Sequence, residues 1–349
     1  MTKTLFSYWN AQKLLSHNAM FNFAIGGRSL GKTFDFKRRC IRNWIKYKHE
    51  FIYLRRYEPE FEDKDTFFSD PNLLSLFPDY EFRVNGMIGY ARLYSEDENA
   101  QQDWQPVVYF VVLAKTYAKK SVSYPNVKWI IFDEFIIETG VIHYIRNEVT
   151  RFLDFYNTVD RFRDFVKVAF LANPISIVNP YFLYFHLKPR KPITGSTFTK
   201  ASSGLICLEV IRNEKFASEV SQTNLGKLTE GTPYFRYAIG GDFNDNTENL
   251  ISKKSTESKF VYAFIFDGQQ LGVWCDYNDG TYYVVNKYPK DAKPYVLTKA
   301  DMNPNLIMIE RRGGILKSLK RLYMYGCVKF DSVNTRSLFY DILDYLSIR

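Results

Sequence analysis

Short runs of apolar residues recur through the first half of the chain, and their length is typical of buried strands. Two longer stretches between these runs, residues 32–48 and 147–159, carry apolar positions at helical spacing and are predicted helices. Strands that alternate with helices predict an α/β domain with a mainly parallel sheet covered on both faces. The predicted strands are residues 21–25, 51–55, 107–114, 128–132 and 166–172.

The pattern changes after residue 179. A basic, proline-punctuated loop at residues 188–192 precedes small and polar residues at 195–204, so we predict that the first domain covers residues 1–204. Residues 205–245 combine polar helical character with several glycines, which indicates a small connector.

The last hundred residues begin with an antiparallel meander. Residues 260–266, 271–277 and 281–285 are its predicted strands, and Asp-Gly sequences mark the turns between them. Helical segments follow to the end of the chain. Residues 246–349 are therefore predicted to form a compact α+β domain.

Composition adds a globular and basic character to this picture. Hydrophobic residues make up 46% of the 349 residues and aromatic residues 17%, which is enough for packed cores. Lys and Arg outnumber Asp and Glu by 47 to 38, and a net charge of +9 favours polyanionic partners. The four cysteines form no zinc motif. Because no apolar run fits a signal peptide or a membrane span, we expect a protein that is neither secreted nor membrane-embedded.

The segment after the first predicted strand fits the phosphate-binding pattern G-x-x-x-x-G-K-[ST], a Walker A motif. In such a loop, backbone N–H groups bind phosphates, the lysine neutralises the β and γ oxygens, and the hydroxyl binds Mg²⁺. The strand before the motif and the helix after it favour this interpretation over an ordinary glycine turn. The predicted ATP-binding residues are Gly26, Gly27, Arg28, Ser29, Leu30, Gly31, Lys32 and Thr33, with Lys32 also catalytic and Thr33 also a metal ligand.

A second motif lies about a hundred residues downstream, where an apolar strand ends in two carboxylates. We assign it as a Walker B motif, with Asp133 a ligand of Mg²⁺ and Glu134 the residue that polarises the attacking water. Alone, such a strand end is as consistent with a solvated turn. Together with the Walker A motif, it predicts an ATPase.

A further strand candidate, residues 107–114, lies between the two Walker motifs along the chain and indicates the additional-strand class of P-loop ATPases. The strand at residues 166–172 ends in Asn173, where such ATPases place a polar residue that senses the γ-phosphate. A simple turn residue before Pro174 is an equally good interpretation of Asn173 from sequence alone.

Arg161 and Arg163 lie between the second predicted helix and the strand that ends in Asn173. One of them is a candidate arginine finger, a cation that stabilises charge on the γ-phosphoryl group of a neighbouring subunit. A solvated surface arginine is the commoner alternative for each. Lys119 and Lys120 are likewise best explained as a basic turn, and a contact to another subunit is the second interpretation.

Several segments resemble the DNA-packaging ATPases of small tailed phages typified by phi twenty-nine, which are related to the large-terminase motors. The likeness spans most of the chain. The segments that carry it are residues 9–15 (WNAQKLL), 51–57 (FIYLRRY), 123–127 (SYPNV), 132–135 (FDEF), 147–149 (NEV), 178–183 (VNPYFL) and 271–274 (LGVW).

The resemblance implies a homo-oligomeric ring, a pentamer, that works in the host cell cytoplasm at the portal vertex of a procapsid. There it would use ATP and Mg²⁺ to move double-stranded DNA inside, and a packaging RNA can tether such a ring. It implies that Arg161 is the finger in trans, that a neighbour contributes Lys120, and that Gln12 lies near the adenine. It also implies a C-terminal RNase H-like domain that has lost its catalytic carboxylates.

Two alternatives stay open at this point. One is a terminase-like enzyme that also cuts DNA with residues 246–349, although a full set of metal-binding carboxylates is not evident there. Asp267 and Asp276 lie on the meander, and Asp267 is best explained as a turn residue. The other alternative is a nucleotide-gated switch that binds nucleic acid. Relative to the family, polar insertions near residues 97–103 and 195–204 put the loop contacts to DNA in doubt.

Overall fold

A computed structural model of the chain describes residues 6–97, 103–119, 122–137, 144–145, 147–175, 179–190, 192–193, 195–240, 252–309, 314–324 and 327–347. The chain forms two compact units. The first contains Met1–Ile177 and Leu187–Asn244, and the second contains Val178–His186 and Asp245–Arg349. The short segment Val178–His186 thus belongs to the second unit, whereas the prediction placed it in the first domain.

The first unit is built on a nine-stranded sheet in the order β3-β4-β5-β2-β6-β7-β1-β9-β8. Its strands are β1 (Phe21–Ile25), β2 (Glu50–Arg55), β3 (Tyr80–Asn85), β4 (Ile88–Leu93), β5 (Gln105–Val112), β6 (Val127–Asp133), β7 (Lys167–Ala172), β8 (Thr197–Ala201) and β9 (Ile206–Val210). Its helices are α1 (Gln12–Ser16), α2 (Lys32–Tyr47), α3 (Pro71–Leu74), α4 (Glu148–Asp160), α6 (Glu214–Ser221), α7 (Asn224–Thr229) and α8 (Pro233–Ala238). Helix α5 (Pro180–Tyr184) lies in the second unit.

The predicted mainly parallel sheet is confirmed. Six strands that are consecutive in the sheet, β5-β2-β6-β7-β1-β9, pair in parallel. Strands β3, β4 and β8 add antiparallel pairs at the two edges. Every residue of β1 and β9 is buried, as expected for parallel strands that have side chains packed on both faces. The carboxyl ends of the parallel strands therefore meet at one edge of the sheet.

The additional strand is not the one predicted. In the sheet, β7 lies between the strand that leads into the P-loop, β1, and the strand that ends in the Walker B motif, β6. The predicted candidate, β5, lies beyond β2 on the far side of β6. Order along the chain was misleading here because parallel neighbours are joined by crossover helices, so sequence order does not set sheet order.

The predicted end of the first domain at residue 204 is also wrong. Strand β9 pairs with β1 over its full length, from Phe21 with Ile206 to Ile25 with Val210, and β8 forms a hairpin with β9. The predicted connector, residues 205–245, thus supplies a central strand and the three short helices α6 to α8. The small polar residues before it disguised an antiparallel edge strand, which needs an apolar pattern on only one face.

The second unit contains a six-stranded sheet in the order β14-β13-β10-β11-β12-β15. The predicted meander forms β10 (Lys259–Phe266), β11 (Gln269–Asp276) and β12 (Thr281–Val285), which pair antiparallel. Asp267 and Gly268 have φ of 51° and 71°, the left-handed backbone of a two-residue hairpin turn. The remaining strands are β13 (Tyr295–Val296), β14 (Ile307–Met308) and β15 (Val328–Phe330), and the remaining helices are α9 (Gly314–Met324) and α10 (Val333–Ser347).

Within the described part of the chain, every helix is too short or too polar to span a lipid bilayer.

Candidate nucleotide-binding site

A cavity of about 980 Å³ lies at the carboxyl edge of the first unit's sheet. Residues 28–33 of the P-loop line it, together with Asp133, Glu134 and Asn173. The aromatic residues Phe6, Tyr8 and Phe34 also line it. The cavity has the size of a small-molecule site, and it brings residues from three neighbouring strands together at one place.

The P-loop owes its shape to backbone conformations that favour glycine. Gly31, the N-cap of helix α2, has a φ of 91°, so a side chain there would be strained. A Cβ on Gly27 would come within 2.6 Å of the Ala238 carbonyl oxygen. The Arg28 N–H donates a 2.7 Å hydrogen bond to that same oxygen. This contact between the end of α8 and the P-loop could not be predicted from the sequence, because nothing local links residues 28 and 238.

Lys32 lies inside the loop. Its ammonium group donates to the carbonyl oxygens of Gly26 at 2.8 Å and Gly27 at 2.7 Å, and to Asn173 Oδ1 at 3.3 Å. Burial lowers the pKa of Lys32 to about 8, although Asp133 and Glu134 act in the opposite direction. A buried cation is costly without compensating charge, so this position favours an anionic ligand.

Thr33 and Asp133 are brought together as predicted for a metal site. The Thr33 hydroxyl donates to Asp133 Oδ2 at 2.9 Å. Both groups are oxygen donors, the ligands that Mg²⁺ prefers, so the residues present fit this ion. The Tyr53 hydroxyl also donates to Asp133 Oδ2, at 2.6 Å. Burial and the Asp133 carboxylate raise the pKa of Tyr53, which keeps its hydroxyl protonated as a donor.

Glu134 is held by an arginine that the sequence analysis did not single out as a site residue. Glu134 Oε2 lies 3.1 Å from Arg55 Nη1, and the Glu134 side chain is about half exposed. The residue has a φ of 55°, an unfavourable backbone conformation for a residue with a Cβ. Arg55 ends β2, the sheet neighbour of β6, so a charged residue at the end of the next strand was the available signal.

A buried ion pair contacts the backbone of the turn that carries Glu134. The side chains of Arg56 and Glu148 are 1% and 0% exposed and form two hydrogen bonds of 2.8 Å. Arg56 also donates to the carbonyl oxygens of Glu134 at 3.3 Å and Phe135 at 2.7 Å. Since Glu148 is the first residue of α4, the pair joins the Walker B turn to that helix.

The two candidate arginine fingers differ in their surroundings. Arg163 donates to the carbonyl oxygens of Val159 at 2.8 Å and Asp160 at 2.9 Å, and to those of Tyr124 and Pro125 at 3.4 Å. Arg161 is exposed, and its guanidinium makes a single hydrogen bond, of 3.5 Å, to the described part of the chain. Arg163 is therefore occupied within its own subunit, and Arg161 is the one available to a partner.

Gln12 and Lys120 were also predicted to be site residues. Gln12 is exposed on α1 and is not among the residues that line the cavity. Its N–H donates to Asn10 Oδ1 at 3.1 Å. Lys120, predicted to act from a neighbour, lies outside the described residues.

Comparison with known proteins decides the family. The model of the podovirus DNA encapsidation protein (Gp16) family matches residues 1–348. The chain belongs to this family. Its predicted resemblance and its role in viral DNA packaging are thereby confirmed.

Relatives within the encapsidation family are similar over the whole chain. The DNA packaging protein of Bacillus phage phi29 is 36% identical over 352 residues, covering 100% of both chains. The DNA packaging protein of Bacillus phage B103 is 31% identical and covers 96% of this chain and 100% of that one.

Solved structures give the same result. The phi29 viral genome packaging motor assembly contains a chain that is 32% identical, with a TM-score of 0.59, covering 98% of this chain and 99% of that one. The N-terminal domain of the phi29 DNA packaging ATPase is 37% identical, with a TM-score of 0.50, covering 58% of this chain and 95% of that one. These neighbours support an ATPase activity for this member of the encapsidation family.

Proposed function

We propose that this chain is a Mg²⁺-dependent ATPase that works in a ring and moves double-stranded DNA into a procapsid. One observation carries the proposal: five residues from three motifs converge at a single cavity of nucleotide size. These residues are Lys32, Thr33, Asp133, Glu134 and Asn173.

Each of these residues has a role that follows from its position. Lys32 neutralises the phosphate oxygens of ATP, and Asn173, 3.3 Å from the lysine, contacts the terminal phosphate. Thr33 and Asp133 would hold Mg²⁺, which would neutralise charge on the phosphates of ATP. Glu134 accepts a hydrogen bond from the attacking water and orients it.

The ion pair with Arg55 adds a requirement to this scheme. While Glu134 Oε2 is 3.1 Å from Arg55, that oxygen is engaged by the guanidinium group and not by water. Hydrolysis therefore needs Glu134 to leave Arg55 and turn toward the phosphate. A half-exposed side chain is free to make that movement.

The position of Arg161 supports action on a second copy of the chain. Arg161 precedes β7, whereas Asn173 follows it. A strand rises about 3.3 Å per residue, so β7 separates Arg161 from its own cavity by about 20 Å. That is farther than an arginine side chain reaches. A ring of identical copies brings each Arg161 to the neighbouring site, and the family resemblance favours five copies.

The remaining partners follow from the family and from charge. A net charge of +9 suits the phosphates of DNA and of a packaging RNA, with affinity that falls as salt rises. The procapsid portal is the structure on which the ring acts, in the host cell cytoplasm. The relatives' printed names, DNA packaging protein and packaging motor, support this assignment.

The second unit belongs, in this proposal, to the RNase H-like class. The supporting feature is the sheet order β12-β11-β10-β13-β14, an antiparallel meander continued by two parallel strands beside β10. Strand β10 carries no carboxylate. Among the described residues, no group of three His, Cys, Asp or Glu side chains is placed to hold a metal ion. Nothing in the described part of this unit favours the nuclease alternative.

The test is steady-state ATP hydrolysis by the wild type, Glu134→Gln and Arg161→Ala, each with and without double-stranded DNA. We expect DNA to stimulate the wild type. Loss of the water-orienting carboxylate should lower kcat by about 10²- to 10⁴-fold, and loss of the finger by about 10³-fold or more. Small fractions of either variant mixed into wild type should inhibit disproportionately.

Glu62→Gln is the matched control, because Glu62 is an exposed glutamate outside the cavity. It should behave as wild type alone and in mixtures. If hydrolysis ignores DNA and falls only in proportion to dilution, the coordinated ring is wrong and an isolated P-loop ATPase remains. Full activity of Glu134→Gln would overturn the catalytic assignment itself.

A further inference from the structure

The turn that carries Arg161 has an unfavourable backbone. Arg161, Phe162 and Asp164 have φ of 50°, 57° and 56°, in the left-handed region where residues with a Cβ clash with the backbone. No glycine relieves this turn. Such a conformation persists only where surrounding contacts hold it in place. We therefore expect specific side chains to stabilise this turn.

Asp160, the last residue of α4, supplies most of those contacts. Its side chain is buried, with 2% of the residue exposed. The carboxylate accepts three backbone hydrogen bonds, from the N–H of Asp164 at 3.0 Å, of Phe165 at 3.2 Å and of Val166 at 3.0 Å. One side chain thus connects the end of α4 to the beginning of β7 and fixes the path of the turn between them.

Arg163 also stabilises this turn, through contacts of its guanidinium group. Its guanidinium bonds the Val159 and Tyr124 carbonyl oxygens and lies 4.2 Å from the centre of the Phe165 ring. These contacts tie the turn to the end of α4 and to the segment that precedes β6. The arginine is a brace within the subunit.

The two residues between these anchors project outward. Phe162 is 85% exposed, although burial would stabilise a phenylalanine. Arg161 is exposed and has its single 3.5 Å hydrogen bond to the Val122 carbonyl oxygen among the described residues. The strained backbone therefore keeps a cation and an aromatic ring at the surface, in a geometry that a relaxed turn would not preserve.

We propose that Asp160 is a positioning residue for hydrolysis in a neighbouring copy: it holds the turn so that Arg161 enters that copy's nucleotide site. The inference rests on the proposed function of Arg161 as a finger in trans. Asp160 touches no substrate and acts through the backbone of the turn. Its removal should therefore lower the rate of the chemical step and leave nucleotide binding within the subunit intact.

The first test variant is Asp160→Asn in the full-length protein. Asparagine keeps the shape, but its NH₂ group faces one of the three backbone N–H donors and cannot accept from it. The matched control is Asp154→Asn, an exposed aspartate on the same helix. The measurements are kcat and KM for ATP with DNA, binding of a fluorescent ATP analogue, and the thermal unfolding midpoint.

We expect Asp160→Asn to lower kcat by about 10- to 100-fold, the cost of misplacing a catalytic group by about an ångström. KM and analogue binding should stay within about twofold of wild type, since the cavity is built by other residues. Asp154→Asn should match wild type. The double variant Asp160→Asn, Arg161→Ala should be no slower than Arg161→Ala alone, because a positioning residue has nothing left to position.

Arg163→Met is the second variant, because it removes the brace and leaves Asp160 in place. It should show the same loss of kcat with unchanged KM, and it decides the matter if Asp160→Asn does not fold. Failure of both variants to bind the analogue would make these residues purely structural and would overturn the proposal.

The positioning role of Asp160 and the finger role of Arg161 are contradicted by different results. Wild-type kcat in Asp160→Asn, or a further loss on top of Arg161→Ala, contradicts the positioning role while the ring motor stands. Full activity in Arg161→Ala contradicts the finger, and the positioning role falls with it.

Discussion

Charged groups are held in different ways at the carboxyl ends of the parallel strands, the carboxyl edge, and at their amino ends, the amino edge. At the carboxyl edge, charged groups are held by partners from their own chain: Lys32 by loop carbonyls, Asp133 by two hydroxyls, and Glu134 by Arg55. At the amino edge, Arg161 is displayed with one long hydrogen bond to the described residues. The nucleotide cavity and this exposed cation thus lie at opposite ends of the same strands. Under the proposed function, the difference means that one complete catalytic site needs two copies of the chain.

The largest expected effect comes from a substitution at the carboxyl edge. Arg56→Ala removes the arginine partner of the buried Glu148 carboxylate, and breaking a buried ion pair in this way should lower the free energy of unfolding by about 3–5 kcal/mol. Lys115→Ala is the control, because its ion pair with Glu58 is exposed on both sides and should contribute about 1 kcal/mol or less. Urea denaturation measures both. Equal effects of the two substitutions would mean that the buried pair does not organise this edge.

The next effect separates the two arginines of the amino edge. Arg163→Ala removes hydrogen bonds to four carbonyl oxygens and should lower the free energy of unfolding by about 1–3 kcal/mol. Arg161→Ala removes one exposed 3.5 Å contact and should change it by less than about 0.5 kcal/mol. The same urea titrations apply. A large destabilisation by Arg161→Ala would show that this residue, too, serves its own subunit.

A smaller effect probes the metal site at the carboxyl edge. Tyr53→Phe removes the 2.6 Å hydrogen bond to Asp133, and loss of such a supporting contact weakens metal affinity by about tenfold. The Mg²⁺ concentration that gives half-maximal hydrolysis should rise by that factor. Tyr109→Phe is the control, because its hydroxyl donates to Glu50 at the other end of the strands. An unchanged Mg²⁺ requirement in Tyr53→Phe would remove Tyr53 from the site.

The smallest effect is a pH dependence at the amino edge. Burial acts to raise the pKa of Asp160, but the hydrogen bonds that its carboxylate accepts from the backbone N–H groups of Val166, Asp164 and Phe165 outweigh this effect, and the pKa is lowered. The stabilisation is thus present above the unfolded-state pKa of about 3.9 and is lost as pH falls through the folded-state value. The stability gap between wild type and Asp160→Asn should be constant from neutral pH to about 4 and shrink below it. A gap that widens in acid would contradict the assigned direction.

The Walker residues could be predicted because their chemistry is local. A run of eight residues contains the whole P-loop, and the Walker B carboxylates directly follow their strand. Apolar runs were enough to predict five of the six parallel strands, namely β1, β2, β5, β6 and β7, since most of the residues in each are buried. For these parts, the signal lies within one short segment of the sequence.

The supporting residues could not be predicted because their partners are distant in sequence. Arg56 meets Glu148 across 92 positions and Tyr53 meets Asp133 across 80. The true additional strand, β7, became evident only from sheet order, and β9 was hidden behind polar residues typical of a linker. Contacts of this kind depend on tertiary packing, which composition and spacing do not encode.

Because the exposed cation and the nucleotide cavity lie at opposite ends of the strands, the arrangement of the copies determines how many complete sites an assembly has. When each molecule offers a cation at one end and needs one at the other, every contact is head to tail, and a row of copies always leaves one terminal pocket unserved. Closing the row removes that defect, because the first pocket is then served by the last molecule. In a closed ring the number of complete sites equals the number of copies: the first copy alone forms no contact, each later copy adds one, and the last copy adds two.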